Sequence, residues 1–172
     1  SNKIKIIFVA LISIISLLLL TNEGKATTLS KTMDSKKGTV KLEPGVVITF
    51  DDKNIDNWVL SSYLLRKYNA RATYFVDCIN ILDYSELKKL GFLQSYGNEI
   101  AFHGLYHLDA VKFTNSNSID EYLKVEIIEG IKIMRQYGFN PQSFAYPFGS
   151  GSSQLDQELL KYFSHLRYTA YT

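Results

Sequence analysis

The sequence predicts an α/β protein built on parallel strands, and three observations carry that expectation. Short runs of β-branched and aromatic residues alternate with longer stretches whose leucines recur at helical spacing. The first of these runs is apolar without alternation, as expected of a strand covered on both faces. Polar, reactive residues follow directly on the runs: Asp51-Asp52 after Ile48-Thr49-Phe50, Asp77 after Phe75-Val76, His103 after Ala101-Phe102, and Pro147-Phe148-Gly149 after Ala145-Tyr146. Helical crossovers return the chain to the same end of a parallel sheet, and ligand chemistry collects at the carboxyl ends of its strands.

Taken in order, Gly45–Phe50 reads as the first strand. Ile55–Tyr68 reads as a helix with Trp58, Leu60, Leu64 and Leu65 at helical spacing. Ala72–Val76 is the second strand. Tyr84–Tyr96 is a helix carrying Leu87, Leu90 and Leu93 on one stripe, mildly weakened by Gly91. Glu99–Phe102 is the third strand, followed by a loop through His103–Asn117. Ser118-Ile119-Asp120-Glu121 has the pattern of a capping box, opening a long helix to about Tyr137 that Gly138 stops. Ser143–Tyr146 is the fourth strand, Leu155–Phe163 a short helix and Leu166–Tyr171 a fifth strand.

The chain has 172 residues, 46% of them hydrophobic and 21% charged, which is ordinary for one globular domain and excludes a disordered or repetitive one. Residues 1–26 hold Lys3, Lys5 and Lys25 against Glu23. The remainder is therefore electrically balanced, without the basic excess that attracts phosphate backbones, so nucleic acid is not an expected partner.

Lys3 and Lys5 precede the apolar run Ile6–Leu20, and small residues stand at Gly24 and Ala26. This is the pattern of a signal peptide over residues 1–26, cleaved after Ala26. Fifteen helical residues reach about 23 Å, short of a ~30 Å hydrocarbon core. An uncleaved segment 6–20 would instead associate the protein with the membrane. Either way the domain is expected outside the cytoplasm, secreted or in the cell envelope. Residues 27–44, ending in Pro44-Gly45, read as a linker, and residues 45–172 as the functional domain. Cys78 is the single cysteine, so no intramolecular disulfide forms.

Two features bear on chemistry. Adjacent carboxylates Asp51-Asp52 end an apolar strand, where they either serve a site or cap the helix beginning near Ile55. His103 and His107 are four residues apart, a spacing from which two imidazoles can share one metal ion. With one of the aspartates they make a two-imidazole, one-carboxylate set of the kind found at catalytic zinc.

Thr49-Phe50-Asp51-Asp52, His103-xxx-His107 and Phe144-Ala145-Tyr146-Pro147-Phe148-Gly149, in this order on alternating elements, resemble the motifs of the polysaccharide deacetylases (carbohydrate esterase family 4, the NodB-homology domain). The resemblance implies a distorted (β/α) barrel and a divalent metal, usually zinc, used to remove acetyl groups from N-acetylated sugars of a polysaccharide. It implies Asp51 as general base, Asp52, His103 and His107 as metal ligands, the Phe148 N–H as an oxyanion donor, and Tyr146 and Pro147 as walls of the substrate groove. Tyr106, Tyr146 and Phe148 are rings that could face a sugar.

The pattern departs from the family at three positions. Lys53 stands where glycine is usual and Gly104 where serine or threonine is usual. Ala145 replaces an arginine that pairs with the base, a variant similar to the subgroup acting on poly-β-1,6-N-acetylglucosamine. The family's later motifs, including its histidine acid, lie beyond Thr172, and His165 precedes a strand rather than following one. A closed barrel typically takes ~250 residues. The expectation is thus a partial barrel, C-terminally truncated, with a non-catalytic carbohydrate-binding or envelope protein as the alternative to an enzyme.

Overall fold

The computed structural model describes residues 45–169. The expected signal segment 1–26, the linker 27–44 and the last three residues lie outside the described residues. Five strands, β1 (Thr49–Asp52), β2 (Thr73–Val76), β3 (Glu99–Phe102), β4 (Ser143–Ala145) and β5 (His165–Arg167), form one sheet in sequence order. Every neighbouring pair is parallel, so each connection is a crossover. The result is a half-barrel with helices outside, a partial (β/α) barrel.

The helices are α1 (Ile55–Lys67), α2 (Tyr84–Ser95), α3 (Ala110–Thr114), α4 (Ile119–Tyr122), α5 (Glu129–Gln136) and α6 (Ser153–Leu159). Local chemistry sets their starts. Asp83 and Glu86 form a reciprocal capping box on α2, and the Asp109, Ser118 and Ser152 side chains accept backbone N–H groups at the starts of α3, α4 and α6. The long helix expected from Ser118 is present but not uniform. A π-helical segment, Leu123–Ile128, joins α4 to α5, and Gly138 ends the run at a φ of 86°.

Alternation along the strands sorts the side chains by face. Phe50, Tyr74, Val76, Ile100, Phe102, Phe144 and Leu166 belong to the main core beneath the helices. Phe75, Ala101 and Ala145 form a separate small cluster on the concave face. The outer core is aromatic: Tyr74 stacks on Phe50 at 5.2 Å and tilts against Trp58 at 5.2 Å. Full burial of a large apolar side chain contributes about 1.5–3 kcal/mol, and here Tyr74 and Trp58 are buried while Phe50 is partly so. Gly130 lets α5 approach β3, since a Cβ there would lie 2.2 Å from the Phe102 ring.

Several boundaries differ from the sequence expectation. Strand β1 begins later and includes both aspartates, because Thr49 to Asp52 pair with Thr73 to Val76. The loop after β3 contains the single-turn α3. Strand β5 takes in His165 and ends at Arg167, so His165 sits at the amino end of its strand. In α1 the buried residues are Ile55, Trp58 and Ser62, whereas Leu60 and Leu64 are exposed. Spacing alone could not tell which flank of the helix meets the sheet.

Candidate metal centre

The carboxyl ends of β1, β3 and β4 meet in an open cleft of about 370 Å³, lined by Asp51, Asp52, His103, His107, Tyr146, Phe148, Gly149, Arg167 and Thr169. Three of these residues converge. One ligand atom from each of Asp52, His103 and His107 lies within 4.8 Å of the others. Asp52 Oδ1 is 3.6 Å from His103 Nε2 and 3.4 Å from His107 Nε2. The alternative of helix capping falls away, because Asn54 occupies the cap of α1 and neither aspartate bonds to it.

Each ligand-bearing side chain is aimed by its surroundings. His103 is buried, and its Nδ1 lies 2.8 Å from the Ala145 carbonyl oxygen. A carbonyl only accepts, so Nδ1 carries the proton and Nε2 offers its lone pair to the cluster. Burial, foremost, holds the His103 imidazole below its usual range, against the Ala145 carbonyl and the two aspartates, which favour the cation. A neutral imidazole is the form a metal takes. The His107 ring packs in T-shaped fashion against Phe148 and His103, with centroids 4.8 and 4.9 Å apart.

The backbone around the cleft is unusual. Asp52, His107 and Phe148 adopt φ values of 75°, 56° and 59°, in the left-handed region that side-chain-bearing residues seldom enter. Such conformations cost of order 1–3 kcal/mol each and gather at sites that require them. Gly149 turns at a φ of 65° against Thr169, whose Oγ1 would be 1.6 Å from a Cβ at that position. Tyr146 is buried and its hydroxyl donates to Asp156 at 2.7 Å. It supports the cleft from below and presents no free ring face, unlike the exposed Phe148 and Tyr106. Pro147 is likewise buried.

Asp51 faces the concave side next to the cluster, and its partner comes from the far strand β5. Arg167 Nη2 donates to both carboxylate oxygens, at 2.6 and 2.5 Å. From β5 the arginine reaches across the sheet over the Phe75 ring, 5.0 Å from its centroid. The neighbours that could block it, Ala145 and Ala101, are small. Lys53, which follows the aspartate pair, has its Nζ 3.8 Å from the carboxylate of the buried Asp77. Burial, then Asp77, pushes the Cys78 thiol up to about 11, away from the thiolate form.

Parallel strands carrying a two-histidine, one-carboxylate cluster and a second, cation-paired carboxylate define an α/β half-barrel with a candidate metal centre at the carboxyl ends of its strands. The Polysaccharide deacetylase family profile matches residues 39–170, and the chain belongs to that family. A peptidoglycan-N-acetylglucosamine deacetylase of Bacillus cereus is 33% identical over 105 residues, 60% of this chain and 46% of that protein. The peptidoglycan deacetylase PdaC of Bacillus subtilis superposes with a TM-score of 0.52 at 26% identity, covering 66% of this chain and 54% of that one. The chitin deacetylase of Colletotrichum lindemuthianum shares the fold, with a TM-score of 0.55 at 20% identity over 70% of this chain and 53% of its own. The chain thus spans about half the length of these relatives.

Proposed function

We propose that the chain works outside the cytoplasm as a metal-dependent hydrolase that removes N-acetyl groups from an N-acetylglucosamine-containing polysaccharide. The observation that carries this reading is the convergence of Asp52, His103 and His107 within 4.8 Å beside Asp51. One carboxylate oxygen and two imidazole nitrogens suit a borderline divalent cation such as zinc and leave open positions for other ligands. Such a cation supplies Lewis acidity toward water and an acetyl carbonyl.

The chain's own residues account for the remaining roles. Asp51 takes the proton of the attacking water and Arg167 fixes its carboxylate, so the base is oriented before substrate arrives. The Phe148 N–H, carried on a left-handed turn at the cleft wall, donates to the oxyanion that develops on the acetyl oxygen. The exposed ring of Phe148 in the cleft lining offers an apolar face to a sugar ring, and the exposed Tyr106, next to His107 in sequence, is a second candidate. Ala145 in the third motif favours a β-1,6-linked polymer among the candidate substrates.

The test is acetate release from peptidoglycan fragments, chitooligosaccharides and poly-β-1,6-N-acetylglucosamine. Asp51→Asn is expected to keep the metal and lose acetate release by about 10²–10⁴-fold, the usual contribution of a general base. Full activity in that variant would remove Asp51 from the role. Glycan binding without acetate release from any of the polymers would support a non-catalytic carbohydrate-binding protein instead.

A further inference from the structure

The loop that carries both histidines is wrapped around one buried acidic side chain that no motif of the sequence singled out. Glu126 is fully buried. Its Oε2 accepts the Tyr106 N–H and its Oε1 the Leu108 N–H, each at 2.8 Å, so the carboxyl group brackets His107 from both sides. Its backbone carbonyl accepts the Leu105 N–H at 3.3 Å. Three of the loop's N–H groups thus end on a single residue.

The loop and the helix are fitted to each other. Glu126 lies in the π-helical segment, an irregularity that re-aims side chains and recurs at functional sites. Gly104 passes so close that a Cβ there would lie 2.3 Å from Glu126 Oε1. The carboxylate therefore fills the space that a serine or threonine side chain would take at position 104. His107, between the two bracketed amides, is held at a φ of 56° that its own chain would not choose.

We infer that Glu126 is a positioning residue for the metal centre, fixing the His103–Leu108 loop so that His107 stands ready beside His103 and Asp52. This inference rests on the metal-centre reading above. A carboxylate behind a ligand loop acts without touching the ion, and loss of such outer partners typically weakens metal binding about tenfold to hundredfold.

The experiment measures zinc(II) affinity on the full chain by competition with a chromophoric chelator, alongside thermal unfolding of the metal-free protein. Glu126→Gln keeps the shape but sets an NH₂ group against one of the two amides, and is expected to lose zinc affinity about tenfold to hundredfold. Glu126→Asp, which keeps the charge and withdraws it, is expected to lose affinity as well and serves if the glutamine variant does not fold. Met134→Ala, a core truncation in α5, is the control: it lowers the melting temperature and keeps zinc affinity. Folded Glu126 variants with unchanged zinc affinity would overturn the inference and leave a merely structural residue. Absence of zinc binding in the unaltered chain would instead overturn the metal-centre reading itself.

Discussion

Arg167 and Asp51 stand 116 residues apart in sequence and are joined by a two-point contact across the concave face of the sheet, Nη2 to Oδ1 and Oδ2. In strand register Arg167 is the direct partner of Ala145. The guanidinium expected at position 145 is therefore supplied from the adjacent strand, one register step sideways. The small side chain of Ala145 leaves the path from Arg167 to Asp51 open.

If that contact orients the base, Arg167→Ala frees the Asp51 carboxylate without disturbing the cluster. The expected outcome is a loss of about 10²-fold in kcat, the order that misplacing a catalytic group costs. KM and metal content stay close to those of the parent. Steady-state acetate release with elemental analysis checks this, and undiminished kcat would show that Asp51 is oriented by other means.

The strand exchange makes a second prediction. Ala145→Arg alone sets two guanidinium groups side by side in a closely packed site, and is expected to destabilise the fold by about 1–3 kcal/mol. Combining it with Arg167→Ala moves the cation from β5 to β4. The double variant is expected to regain part of the acetate release that Arg167→Ala loses. Urea unfolding and the same activity assay read both outcomes.

Much of this architecture was legible in the sequence because strand ends announce themselves: apolar runs break into Asp51-Asp52, His103 and Pro147 at each carboxyl edge. The cluster was legible for the same reason, since parallel strands bring their carboxyl ends together. The Arg167 contact was not, because its meaning depends on register and on two small alanines, and neither is written locally. Glu126 reads as one more charge on a helix. Only the π-helical segment and the close pass of Gly104 turn it inward. Leu60 and Leu64 misled in the opposite sense, their helical spacing suggesting a buried face that the fold leaves exposed.

Protonation of His103 gives a signed pH dependence for the metal-free protein. Burial holds its folded value below the ordinary 6.5. As pH falls through 6.5 the unfolded chain takes up a proton that the folded one refuses, so stability drops. Glu126 acts with the opposite sign: burial raises its folded value above the ordinary 4.5, so the stability it contributes below 4.5 is lost as pH rises through that folded value. The expected result is a melting temperature that declines as pH is lowered from neutrality through the 6.5 region. In His103→Asn, whose amide can still donate to the Ala145 carbonyl, that decline flattens. An equal slope in both proteins would assign it to other groups.

The most direct measurement is the zinc content of the full chain and of the double variant Asp52→Asn/His107→Ala, by elemental analysis after exposure to zinc and removal of unbound metal. One zinc per chain in the parent and none in the variant is the predicted result. Equal zinc in both proteins would place any bound metal elsewhere and contradict the assignment of these side chains as its ligands.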